Sequence, residues 1–225
     1  GPLMARIRLR EVSVLRSPGP SSSPAGELPA GNSPAPILHP FTLDLDESRI
    51  AVVGANGSGK STLLKLLNGL LAPDTGTVTV DGLDTVRHGS RIRRRVGFVF
   101  TDPLSQLVMP TGRDDVELSL RASIRNRSHR RAAAEDRLAA FGLLDLADRS
   151  IYDLSGGERQ LMALASVLAV EPDVLVADEP TTALDVTVQA EVLELLRSLN
   201  RRLNSAVMLI THDMGVVADL ADKVV

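Results

Sequence analysis

Eight consecutive residues, Gly54-Ala55-Asn56-Gly57-Ser58-Gly59-Lys60-Ser61, carry glycines, a lysine and a hydroxyl in the spacing of a phosphate-binding loop. Glycines let the backbone turn tightly enough for successive N–H groups to point at phosphate oxygens, and a helix that starts there favours negative charge. Lys60 is placed to reach β- and γ-phosphates, Ser61 to ligate Mg²⁺, and Thr62 completes the candidate nucleotide-binding run. A glycine turn before an ordinary helix is the alternative, and it does not require all four fixed positions at once.

Two other groups supply what phosphate chemistry needs. The apolar run Val174-Leu175-Val176-Ala177 delivers Asp178 and Glu179 to a strand end, where Asp178 can hold Mg²⁺ directly or through water. Glu179 is then placed to orient and deprotonate an attacking water. Leu154-Ser155-Gly156-Gly157-Glu158-Arg159-Gln160 opens a helix whose apolar face continues through Leu161, Leu164, Ala165 and Leu168. By itself this heptapeptide reads as a serine N-cap with glycines before a helix.

The elements around these groups follow from periodicity. Ile7, Leu9, Val12 and Val14 mark a strand region, and the alternation of Phe41, Leu43 and Leu45 with Thr42 and Asp44 marks a half-buried strand. Ile50 to Val53 is a short run that suits a strand buried on both faces, and Leu63, Leu64, Leu66, Leu67 and Leu70 recur with helical spacing after it. Further strands are expected at Thr77 to Val80, Val96 to Phe100, Val174 to Ala177 and Ala206 to Ile210. Val188, Val192, Leu195, Leu196, Leu199 and Leu203 form one face of a helix between the last two. The alternation predicts an α/β fold, a mostly parallel sheet with flanking helices. From about Asp102 to Gly157 helical patterns at Asp114 to Ile124 and Arg130 to Phe141 occur without a strand, which predicts an inserted α-helical subdomain.

The heptapeptide, standing shortly before the Asp178-Glu179 strand, resembles the signature of the ATP-binding cassette (ABC) superfamily, and the resemblance covers the chain from Ile7 onward. It implies a RecA-like phosphate-loop fold with an N-terminal antiparallel β portion. It also implies ATP and Mg²⁺ as cofactors and two cassettes facing head to tail, the second being an identical chain (a homodimer) or a related one (a heterodimer). Each ATP is then held between one phosphate loop and the partner's Ser155, Gly156 and Gly157, an anion site at a helix N-terminus. Ala183-Leu184-Asp185 resembles the D-loop, and His212 resembles the histidine that contacts the γ-phosphate. Two positions depart from the pattern. The glutamine that usually reaches Mg²⁺ after the Val96 to Phe100 strand is here Thr101, and the aromatic residue that usually stacks on adenine is replaced by Leu15 and Arg16. The arginine plane can stack on a base.

Phe100-Thr101-Asp102-Pro103-Leu104-Ser105-Gln106-Leu107-Val108-Met109-Pro110-Thr111 is similar to the same stretch in the ATPases of energy-coupling-factor (ECF) importers of vitamins and metals. In that family the surface receives coupling helices of an integral membrane subunit, which makes Gln106 a candidate contact; a surface turn is the alternative. Thr101 with Leu107-Val108-Met109-Pro110-Thr111 resembles the biotin-type branch. The resemblance implies a separate substrate-binding membrane subunit that holds the cargo, with biotin, another vitamin or a transition-metal ion as the candidates. The competing class is a soluble ABC ATPase of chromosome maintenance, repair or translation. Chromosome-type members separate phosphate loop and signature by long coiled coils, and translation-type members usually carry two cassettes per chain. An unrelated phosphate-loop kinase has no need of the signature.

Composition is consistent with this. The 225 residues are 44% hydrophobic and 24% charged, which suits a soluble globular protein of one or two domains. The net charge of −3 gives no general attraction to nucleic acid, so no nucleic-acid partner is expected. Without cysteine there is no disulfide, and a reducing cytoplasm is compatible. No apolar run reaches the length that crosses a bilayer, so the expected location is cytoplasmic, peripheral on the inner face of the cell membrane. Gly1-Pro2-Leu3 before Met4 reads as an expression scar. The expected organisation is a nucleotide-binding core over 4–101 with a flexible loop at 17–36, the helical subdomain over 102–157, and the rest of the core over 158–225, truncated at its C-terminal end.

Overall fold

The computed structural model describes residues 5–16, 35–182, 184–203 and 205–225, with backbone alone for 198–203. The scar at 1–3, most of the loop expected at 17–36, Ala183, and the Leu199 and Leu203 side chains lie outside the described residues. In chain order, β1 (Ile7–Leu15) and β2 (Pro36–Leu45) precede β3 (Arg49–Val52) and α1 (Lys60–Asn68). Then come β4 (Thr75–Val80), β5 (Leu83–Asp84), α2 (Gly89–Arg95) and β6 (Val96–Val99). Helices α3 (Gly112–Leu120), α4 (Arg127–Ala140) and α5 (Gly156–Leu168) follow. Last are β7 (Val174–Asp178), α6 (Val186–Leu203), β8 (Ala206–Ile210), α7 (Met214–Leu220) and β9 (Lys223–Val224).

Two sheets result. The parallel one has the order β6-β7-β8-β3-β9, and the antiparallel one the order β2-β1-β4-β5. The Thr77 to Val80 segment, expected among the strands that alternate with helices, pairs antiparallel with β1. Its burial shows why: only Val78 and Val80 are buried in β4, whereas every residue of β7 is buried, as a strand covered on both faces must be.

Helix α1 fills the space between the sheets. Leu63, Leu64, Leu66 and Leu67 are all buried on one broad apolar face of the helix, and they pack with Ile7, Leu9, Val78 and Val80 of one sheet and Ile50, Val174 and Val176 of the other. It stops at Asn68, before the Leu70 of the apolar pattern, because Gly69 turns into the left-handed region at φ 71°. The opposite face of the parallel sheet offers Val99, Leu175, Ala177 and Leu209 to Leu164 and Leu168 of α5, Val192 and Leu196 of α6, and Val216 and Leu220 of α7. Helices α3 and α4 build a third cluster, Val116, Leu120, Ala134 and Leu138, against Met162, Ala163 and Ala165 of α5. One helix therefore joins the helical unit to the sheet, and its N-terminus carries Ser155.

Candidate functional site

The phosphate loop lies at the carboxyl end of β3, the side of a parallel sheet where ligands are received. Residues Gly54 to Ser58 are exposed. Gly59 caps α1 at φ 93°, with no side chain capping the helix, so the first N–H groups of α1 are left for a ligand. A Cβ at Gly59 would stand 2.5 Å from Leu38 Cδ2 and 3.2 Å from the Ile37 carbonyl oxygen, because the start of β2 lies against the loop. Lys60 folds back over the loop and donates from Nζ to the carbonyls of Gly54 and Ala55, both at 2.9 Å. Its ammonium is thus held where the loop's N–H groups would gather phosphate oxygens.

Ser61 Oγ donates to Asp178 Oδ1 at 3.0 Å, joining the first turn of α1 to the end of β7. Among the described residues no group of three or more His, Cys, Asp or Glu side chains could hold a metal. One hydroxyl and one carboxylate beside a phosphate loop suit a cation that takes its other ligands from water and substrate phosphate, as Mg²⁺ does. Ser61 and Asp178 fit that ion.

One residue further, Glu179 adopts φ 49°, a left-handed conformation that a non-glycine residue seldom takes. Its backbone N–H donates to the Ile210 carbonyl at 3.2 Å, and its carboxylate is held on both oxygens. His212 Nε2 lies 2.8 Å from Oε1, and Thr182 Oγ1 donates to Oε2 at 3.0 Å. The imidazole therefore meets the candidate base itself. Thr182 is a group that sequence reasoning missed; a threonine three residues after an acid carries no spacing signal.

Thr101 and Gln106 both direct polar groups toward the chain's own backbone. The Thr101 hydroxyl donates to the Asp178 carbonyl at 2.8 Å, which ties Thr101 to the backbone of β7. Gln106 points inward: Oε1 accepts from the Phe100 N–H at 3.2 Å and Nε2 donates to the Ala163 carbonyl at 2.6 Å. Its amide is an internal brace between the end of β6 and α5, while the outward groups of this segment are Leu104 and Val108. Gln106→Ala should leave the Phe100 N–H without its partner and remove the second bond to the Ala163 carbonyl, which costs about 1–3 kcal/mol. A thermal unfolding curve should move down by roughly 2–12 °C. An unchanged midpoint would show that the amide braces nothing.

Ser155 caps α5 in a reciprocal box, its Oγ accepting from the Glu158 N–H at 3.2 Å and Glu158 Oε2 accepting from the Ser155 N–H at 2.7 Å. The Ser155 backbone N–H, and then its side chain, hold the Glu158 carboxyl below its ordinary value. A carboxyl lowered in the folded state stabilises it above the unfolded value and ceases to as pH falls through the lowered one, so this cap is complete at neutral pH. A Cβ at Gly157 would meet Val188 of α6 at 2.8 Å, whereas one at Gly156 meets nothing within 4 Å. Asp185 is exposed and accepts from the Val188 N–H at 3.0 Å, capping α6. Arg16 is exposed at the end of β1, its N–H donating to the Ala35 carbonyl at 3.0 Å and its guanidinium without an ion pair among the described residues. Ser61, Asp178, Thr101, Glu179 and His212 are thus linked to one another, and Ser155, Gly156 and Asp185 present themselves to solvent.

Comparison with known proteins gives the following. The family described as ABC transporter matches residues 38–182. The biotin transport ATP-binding protein BioM of Rhizobium etli is 41% identical over 181 residues, covering 80% of this chain and 79% of that protein. The energy-coupling factor transporter ATP-binding protein EcfA1 of Symbiobacterium thermophilum is 45% identical over 184 residues, covering 79% of this chain and 64% of that protein. Among solved structures, cbiO1 of Clostridium perfringens, part of the ABC transporter complex cbiONQ, gives a TM-score of 0.77 at 27% identity, covering 97% of this chain and 82% of that one. A dimeric post-hydrolysis ATP-binding cassette bound to ADP and Pi gives 0.79 at 30% identity, covering 93% and 89%.

Proposed function

The chain belongs to the ABC transporter family as an ATP-binding and ATP-hydrolysing subunit, and we propose that it works as a pair of cassettes that powers an ECF-type importer of biotin. The observation that carries the importer reading is the 41% identity to a biotin transport ATPase across four-fifths of both chains. That for pairing is the placement of the signature: Ser155 and Gly156 stand exposed at the N-terminus of α5, and among the described residues neither is bonded to the phosphate loop of its own chain.

In this reading the loop N–H groups and Lys60 bind the triphosphate, and Gly59 leaves the start of α1 open to it. Ser61 and Asp178 would hold Mg²⁺, which supplies charge neutralisation on the phosphate oxygens. Glu179 accepts the proton of the attacking water, and His212 and Thr182 fix the direction of its carboxylate. Thr101 and Gln106 link the strand that bears Asp178 to α5, whose N-terminus would meet the partner's nucleotide. A membrane coupling subunit resting on the outward Leu104 and Val108 would act on the same link. No described helix is long and apolar enough to cross a membrane; in the importer reading the chain sits peripherally on the inner face, against the coupling subunit.

Cells whose copy carries Lys60→Ala should lose uptake of labelled biotin, since the triphosphate loses its cation. Normal biotin uptake with loss of another vitamin or metal would reassign the cargo, and normal uptake of all of them would remove the importer reading.

A further inference from the structure

The chain has five aromatic residues, one Tyr, four Phe and no Trp. Phe98 is buried, and Phe41, Phe100 and Phe141 are half-buried against the apolar clusters. Tyr152 is 73% exposed, and its ring makes no hydrogen bond or ring contact among the described residues. Such an amphipathic ring is not loose. Its neighbours Ile151 and Leu154 are buried, the Ile151 N–H donates to the Pro110 carbonyl at 3.0 Å, and the Tyr152 N–H donates to Ser150 Oγ at 3.3 Å. The backbone on either side is thus pinned, and the phenol stands outward three residues before Ser155.

The nucleotide site of one chain lacks what Tyr152 offers. A nucleobase is bound most readily against an aromatic face, yet among the described residues the end of β1 presents Leu15 and Arg16. If Ser155 of a partner meets the γ-phosphate, its Tyr152 lies within about 11 Å of backbone, extended by the length of its own side chain, which brings the ring within reach of the same nucleotide. We propose that Tyr152 of each copy stacks on the nucleobase bound at the phosphate loop of the other, so that the base pocket is completed in trans. This inference rests on the paired reading above. Arg16 covers the base from its own chain, and Tyr152 supplies the aromatic face only on pairing.

Tyrosine emission of the purified chain reports residue 152 alone, because there is one Tyr and no Trp. In a Glu179→Gln background, where the pair persists, Mg·ATP should lower that emission, and inorganic triphosphate, which has no base, should not. Gly156→Asp, which blocks pairing, should abolish the change while ATP still binds. Tyr152→Ala removes two stacks from each pair and should weaken the ATP-dependent pair by about 25-fold or more, one base–aromatic stack being worth about 5- to 150-fold. The affinity of the unpaired chain for ATP should stay unchanged, and Tyr152→Phe should restore the pair. A pair of normal affinity in Tyr152→Ala, or steady emission while the pair forms, would overturn this inference alone. Absence of any ATP-dependent pair would overturn it together with the reading beneath it.

Discussion

Glu179→Gln should lower ATP turnover by about 10²–10⁴-fold, the usual contribution of a general base, while ATP binding persists. The substitution keeps the size and direction of the side chain. A glutamine oxygen can still accept from Thr182 or from a His212 tautomer that donates, so the geometry around the strained residue 179 is retained and only the basic lone pair is lost. Nothing in the change touches Lys60, Ser61 or the loop that binds phosphates. The check is phosphate release measured beside equilibrium binding of labelled ATP. Turnover within tenfold of the unaltered chain would take the base role from Glu179. Equal loss of binding and turnover would instead show that the carboxylate shapes the nucleotide site.

Gly156→Asp should weaken ATP-dependent pairing by 100-fold or more and leave the isolated chain as stable as before. The two halves of that expectation come from different physics. Within its own chain a side chain at Gly156 enters open space, and an acidic residue in the first turn of α5 is favoured by the helix dipole. Surface substitutions of this kind usually stay within about 0.5 kcal/mol. Against the partner's triphosphate the same carboxylate sets like charges together, which costs several kcal/mol, and about 2.8 kcal/mol is already 100-fold. Gly157→Asp cannot separate the two effects, because Val188 occupies the space its side chain would need. A thermal midpoint that falls with the pairing would mean that Gly156 serves the fold.

Local pattern carried some parts of this structure and not others. The loop between β3 and α1, the two acids ending β7 and the capping box of Ser155 and Glu158 are contiguous, so their spacing alone predicts strand, turn and helix start. The partner of β4 was not legible, since alternation reports a half-buried strand without saying which strand lies beside it. The directions of Thr101 and Gln106 depend on Asp178 and Ala163, 77 and 57 residues away, and no local rule reaches that far. His212 and Glu179 were each marked by strand ends, but their contact follows from β7 and β8 lying side by side. Tyr152 carried no motif at all; only its exposure beside the exposed N-terminus of α5 gives it meaning.

That each nucleotide is enclosed between the phosphate loop of one chain and the Ser155 end of another is tested most directly by molar mass. Light scattering of the Glu179→Gln chain should give one chain without nucleotide and two with saturating Mg·ATP. The doubling should disappear in Glu179→Gln combined with Gly156→Asp. A single-chain mass at saturating ATP, or a doubling that survives Gly156→Asp, would contradict the enclosed site.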